Sequence, residues 1–173
     1  MIKQRRKDII RRCILTLILL ILFLLQTTPG LLPVIGKASA MLLVPAVVCI
    51  GMFERETAGA FFGLFAGLLW DTVSAQPTGF HSIILMCLGC ISGLLITHLM
   101  QNSLLSGILL SALGIILHTM LYWVIFVLLR GYTGALTLLY QQFLPSMLYT
   151  ALFIPLLYFI IRLLRKQLRS PVL

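Results

Sequence analysis

Apolar residues in this chain come in long runs, without the strict alternation of strands or the single stripe of a surface helix, and polar residues collect between the runs. The runs cover about 13–30, 40–53, 58–73, 80–100, 104–129 and 136–161. Segments apolar on every side, most of them near the ~20 residues that carry a helix through a bilayer, predict transmembrane helices. The breaks hold turn and charge chemistry. Gln26-Thr27-Thr28-Pro29-Gly30 closes the first run and Glu54-Arg55-Glu56 the second. Thr57 reads as the cap of the third, and Gln76-Pro77-Thr78-Gly79 as a tight turn after it. Gln101-Asn102-Ser103 and Arg130-Gly131-Tyr132-Thr133-Gly134 separate the last three. The expectation is an all-α integral membrane protein with about six transmembrane helices in one bundle. The second and third runs are short; folded as one re-entrant hairpin they would leave four spans.

Composition agrees with lipid as the main solvent. The chain has 173 residues, is 61% hydrophobic and 10% charged, and has a mean hydropathy of +1.12, far too little charge for the surface of a soluble domain. It is long enough for one domain, with no room for a soluble catalytic module beside the membrane part.

The formal charge of +9 is distributed unevenly. Lys3, Arg5, Arg6, Lys7, Arg11 and Arg12 form a basic segment at 1–12, and Arg162, Arg165, Lys166 and Arg169 a basic tail at 162–173. Basic flanks are retained in the cytoplasm against anionic lipid headgroups. With six spans, eleven basic residues lie inside and only Lys37 and Arg130 outside, so both termini are expected in the cytoplasm. No basic groove with interleaved aromatics suggests nucleic-acid binding. Ala38-Ser39-Ala40 has the small-x-small pattern of a cleavage site, but it lies too far from the first apolar core, so that span is expected to remain uncleaved.

The informative polar and small residues lie inside the runs. Gly59, Gly63 and Gly67 recur every fourth residue and Asp71 continues the row, which puts all four on one helix face. Such a row lets a second helix approach closely, and Gly89 and Gly93 repeat the spacing on the next run. Gly107, Ser111, Gly114 and His118 share a face of the fifth. Asp71, the one acid within an apolar span, lies about 20 Å along its helix and must face protein. His118 has a similar depth, and His81 and Arg130 are the other candidate partners; His81 and Gly79 lie at the turn beyond. The role of Asp71 is either a structural lock or a binding or proton-relay site. Cys87 and Cys90 form a C-x-x-C inside a lipid-facing stretch with no second ligand pair, and read as packing residues. No metal-ligand cluster, catalytic motif or cofactor loop occurs in the sequence, which points away from an enzyme and from a bound metal or cofactor.

Phe62-Gly63-Leu64-Phe65-Ala66-Gly67-Leu68-Leu69-Trp70-Asp71, followed by Pro77-Thr78-Gly79-Phe80-His81, resembles the MreD family, rod shape-determining membrane proteins of bacteria. The shared pattern is a glycine-spaced span ending in Gly-Leu-x-x-Asp, a short turn, then Gly-Leu/Phe. Chain length, span number and basic ends agree over essentially the whole chain, and the segment 59–81 carries the motif; Phe80 departs from the branched aliphatic or Leu that is usual there. The resemblance implies a non-enzymatic scaffold of the cell-wall elongation machinery in the bacterial cell membrane. Its implied partners are an MreC-type bitopic protein and, through it, MreB filaments, RodA and a class B penicillin-binding protein. The glycine-lined faces are then expected to hold partner helices. Family members also resemble in fold the small substrate-binding subunits of energy-coupling-factor transporters. That likeness implies an alternative: a vitamin-type transporter subunit with Asp71 and His118 in a ligand cavity, joined by His81, Gln76, Tyr122 and Trp123.

Overall fold

The structure is a computed structural model describing residues 2–28, 40–74, 79–131 and 135–168, and its regular elements are all helices. They are α1 (Ile2–Thr27), α2 (Leu43–Glu54), α3 (Glu56–Val73), α4 (Phe80–His98), α5 (Leu104–Trp123), α6 (Ala135–Leu138) and α7 (Leu144–Leu168). A π-turn at Val124–Leu128 extends α5, and a second at Leu139–Phe143 joins α6 to α7, so the elements form six rods that match the six apolar runs. Lys37, the residues Ala38 and Ser39, the turn Gln76-Pro77-Thr78, Tyr132-Thr133-Gly134 and Arg169 lie outside the described residues.

Three boundaries differ from expectation. The basic segment before Cys13 is part of α1, and α7 carries Arg162, Arg165 and Lys166 before it ends. Lys and Arg are good helix formers, and near a helix C-terminus they complement its dipole. Thr57 does not cap α3: the helix starts at Glu56, and Arg55 occupies the cap position without a side-chain hydrogen bond.

Four stretches are long and apolar enough to cross a membrane: Ile9–Thr27, Phe80–His98, Leu104–Leu128 and Leu136–Gln167. The other two rods, α2 and α3, are organised differently. The 12 residues of α2 rise only ~18 Å, against a hydrocarbon core of about 30 Å. Yet every residue from Leu43 to Phe53 is buried, because α1, α3, α4, α5 and α7 all pack on it. A helix apolar on all sides belongs at the centre, and here it forms the core.

A buried helix has no water to satisfy its end groups, so side chains from its neighbours must do so. The Leu43 N–H donates to Gln26 Oε1 of α1 at 3.2 Å, and the Met41 N–H to Thr150 Oγ1 of α7 at 2.9 Å. Pro45, in the first turn, has no N–H to satisfy. At the far end, Asn102 Nδ2 donates to the Met52 carbonyl at 3.0 Å.

The tightest packing is between α3 and α4, which run antiparallel with Gly59 against Gly89, Gly63 against Leu85 and Gly67 against Ser82. At the other end of α4, Gly93 lies against Glu56. A Cβ on Gly63 would lie 2.7 Å from the Leu85 carbonyl carbon, on Gly67 2.6 Å from the His81 carbonyl oxygen, and on Gly59 2.8 Å from the Gly51 Cα. These are contacts with backbone, which cannot rotate aside. The glycine rows are therefore filled by the chain's own helices, which leaves no room for a partner helix along them in this packing. Gly51, unremarked in the sequence, joins Gly59 and Gly89 where the backbones of α2, α3 and α4 meet. Since α3 follows α4 over nearly its whole length, it occupies the depth of a helix long enough to span.

Arg55 alone separates α2 from α3, at φ 76° and ψ 172°, a region that favours glycine. Two expectations follow. Gly63→Ala should lower stability by about 1–3 kcal/mol through backbone overpacking, seen as a lower thermal midpoint in detergent, and Gly63→Leu should prevent the hairpin from closing. Arg55→Gly relieves roughly 1–3 kcal/mol of strain against about 0.4–1 kcal/mol of added unfolded-chain entropy, so its midpoint should rise.

Candidate functional site

The turn from α3 to α4 gathers most of the polar residues expected to matter. The last turn of α3 supplies Trp70 and Asp71, and Ser74 follows it. Gly79 then takes φ 108°, which turns the backbone into α4 and brings the first N–H groups of that helix towards α3. From α5, His118 reaches the same place.

Asp71 is 6% exposed, and its carboxylate accepts three backbone hydrogen bonds: from Gly79 at 3.0 Å, His81 at 3.2 Å and Ser82 at 3.0 Å. The Ser82 hydroxyl donates to it as well. Asp71 thus caps α4 from the neighbouring helix, meeting amides that no residue of α4 itself satisfies, and its charge lies at the positive end of the helix dipole. Its partner differs from the three side chains anticipated. His81 meets it through the backbone, His118 bonds elsewhere, and the Arg130 guanidinium lies over the Phe126 ring, 5.2 Å from its centroid.

Beside this cap is a pair of buried imidazoles. His81 Nδ1 and His118 Nε2 are 3.0 Å apart, and His81 Nε2 is 3.3 Å from Ser74 Oγ. A bond between two imidazole nitrogens needs one N–H and one bare nitrogen, so the rings share one proton on that edge. The second nitrogen of His118, Nδ1, is buried without a hydrogen-bond partner among the described residues. Trp70 stacks on His81 with centroids 4.4 Å apart and planes within 6°, and on His118 at 5.1 Å. Tyr122 stacks on His81 with centroids 5.9 Å apart, and Phe80 meets His81 edge-on at 5.2 Å. The imidazoles are thus packed between aromatic rings rather than displayed in open space, which speaks against the ligand-cavity alternative at this place.

The structure brings Asp71, Gly79, His81 and His118 together, and Tyr122 joins them; Gln76 lies outside the described residues. Gly59, Gly63, Gly67, Gly89 and Gly93 form the α3–α4 contact that holds the cluster in place. Ser82 and Trp70 were not singled out in the sequence. Ser82 had one signal, its position three residues beyond the turn glycine, where a helix still has unpaired N–H groups. Among the described residues, no group of three or more His, Cys, Asp or Glu side chains is arranged to hold a metal ion. Cys87 points outward from α4, and Cys49 is buried 3.9 Å from Ser111 Oγ.

Asp71→Ala leaves the three amides without an acceptor and should cost roughly 2–4 kcal/mol, whereas Asp71→Asn keeps one acceptor oxygen and should cost about half as much. Thermal midpoints and faster amide exchange at Gly79, His81 and Ser82 would register the series. A proton-relay role without a capping role predicts an Asp71→Asn protein as stable as the parent.

A family model described as rod shape-determining protein MreD matches residues 6–168, from the basic part of α1 to the end of α7. No curated protein and no solved structure matches the chain. The implied likeness to energy-coupling-factor subunits therefore has no solved structure behind it. With nearly the whole chain covered, and the glycine-spaced α3 and its terminal aspartate inside the match, the chain belongs to the MreD family of rod shape-determining membrane proteins.

Proposed function

We propose that within rod-shape determination this chain is a non-enzymatic membrane scaffold of the cell-wall elongation machinery, contacting an MreC-type bitopic protein. Through that partner it reaches MreB filaments, RodA and a class B penicillin-binding protein. The observation that carries the reading is the family match across residues 6–168. The packing adds a constraint. Because the glycine rows are used internally, partner contacts fall on the outward faces, where large apolar side chains remain exposed. One such face runs along α4 and α5 through Ile91, Leu94, Leu109, Leu113 and Leu117. Between these helices an apolar groove of about 70 Å³ is floored by Val48 of α2 and bordered by Ile91, Ser92, Leu113 and Gly114. Small residues beside a groove suit the close approach of a single transmembrane helix.

In the same reading both termini are cytoplasmic. Arg11, bonded to Glu54 at 2.9 Å, and Arg162, Arg165 and Lys166 of α7 belong to one end of the bundle, and Asp71 and the histidine pair to the other. The basic end then faces the anionic leaflet and the cytoplasm, and the α3–α4 turn faces outward.

Depletion in rod-shaped cells should give swelling and rounding, rescued by the parent chain. Ile91→Trp with Leu113→Trp should leave the thermal midpoint within about 2 °C of the parent, as surface changes do, while co-purification of the MreC-type partner is lost. Undiminished co-purification by that variant would move the partner to another face, and cells that stay rod-shaped on depletion would remove the scaffold reading itself.

A further inference from the structure

At the basic end is a cavity that the scaffold reading does not use. It measures about 260 Å³ and is lined by Phe53 at the end of α2, Asn102 in the α4–α5 link, and Arg162, Arg165 and Lys166 on the last turns of α7. Three of the five lining residues are cations and none is acidic. The nearby Glu54 carboxylate is engaged by Arg11 from α1 and also interacts electrostatically with Arg165.

The cavity has fixed walls. Asn102 is held at both ends of its amide: Nδ2 donates to the Met52 carbonyl at 3.0 Å and Oδ1 accepts from the Tyr158 hydroxyl at 3.4 Å. The Phe53 and Tyr158 rings pack on each other with centroids 5.3 Å apart. Each ring then carries a guanidinium: Arg165 lies 5.6 Å from the Phe53 centroid and Arg162 lies 6.0 Å from that of Tyr158. The Arg162 guanidinium, exposed beside the Tyr158 ring, can turn its N–H groups to an anion, and they match phosphate oxygens in pairs. Lys166, one turn beyond Arg162, adds a point charge.

We infer that this cavity binds the phosphate of an anionic phospholipid headgroup. Two observations favour a lipid over a soluble anion. First, α7 carries Phe159, Ile160 and Leu163 exposed on its outer side at the same turns as Arg162, so acyl chains have an apolar track beside the phosphate position. Second, the volume is below the roughly 300–1,000 Å³ of sites that enclose a whole small molecule, but accommodates a headgroup phosphate whose tails stay in the bilayer. The phosphate offsets the mutual repulsion of Arg162 and Lys166, one turn apart at the end of α7.

The full-length protein, purified in detergent and stripped of lipid, is titrated with phosphatidylglycerol, phosphatidylcholine and inorganic phosphate, with thermal midpoint and native mass spectrometry as readouts. Phosphatidylglycerol should bind and stabilise. Arg162→Gln with Lys166→Gln should weaken it about tenfold, Arg162→Lys should keep most of the affinity, and Arg6→Gln with Arg12→Gln, equal charge loss on α1, should stay within about twofold of the parent. Arg162 and Lys166 are both exposed, so the pocket variant is expected to fold as the parent does. Equal weakening by the two double variants would overturn the proposal in favour of general surface charge. Failure of phosphatidylglycerol to bind, or its full displacement by millimolar phosphate, would overturn it, the latter in favour of a soluble anion.

Discussion

Where α3 and α4 meet, backbone touches backbone, and the rest of the bundle is arranged around that contact. Lipid tails are as apolar as leucine, so helices in a membrane gain little from hiding apolar side chains and depend on close packing instead. Glycine at positions 59, 63, 67 and 89 removes the side chains that would keep the helices apart, and Leu85, His81 and Ser82 present their main chains to the gap. Gly51 brings α2 into the same contact. Only because these three helices are so close can a rod as short as α2 be enclosed by α1, α5 and α7 without reaching lipid.

Close packing creates a second demand, since the ends of the enclosed helices expose polar groups that nothing but protein can satisfy. Each is answered from a different element: Gln26 and Thr150 at the start of α2, Asn102 at its end, Asp71 at the start of α4. An aspartate in an apolar span invites a functional reading. Here its chemistry is spent on four donors around one helix start, and the same bonds hold His81 where its ring can reach His118. The start of α4 is thus braced by the cap on one side and by stacked rings on the other.

Much of this was legible from the sequence, and what was not has physical causes. Runs of apolar residues mark helices in lipid, and the six rods follow them closely. The rows at Gly59, Gly63 and Gly67 and at Gly89 and Gly93 announced close approach. A four-residue spacing says that something packs there without saying what, and the occupant was the neighbouring helix, not a partner. Burial of Asp71 was equally foreseeable, but its partners were not, because backbone amides carry no side-chain signature. The matching depth of His118 pointed to the right place and the wrong contact: it meets the His81 ring, while the carboxylate turns to the amides. Thr57 misled because a good capping residue one position inside a helix looks the same in sequence as one at its start.

The inward use of glycine limits where another helix can approach this protein. A partner cannot enter along the glycine rows of α3 and α4, since these two helices fill them for each other. What remains outside is large, branched and aromatic: Ile83, Ile91 and Leu94 on α4, Leu109 and Leu113 on α5, Leu152, Leu156 and Phe159 on α7. Contacts through such side chains are specified by shape along a groove, and their selectivity is modest unless polar groups at the ends fix the register. The two ends of this bundle differ in that respect, one closed by a satisfied carboxylate and aromatic rings, the other open and rich in cations. The exposed cations that could fix the register of such a contact are therefore at the basic end, and the apolar flanks offer area without direction.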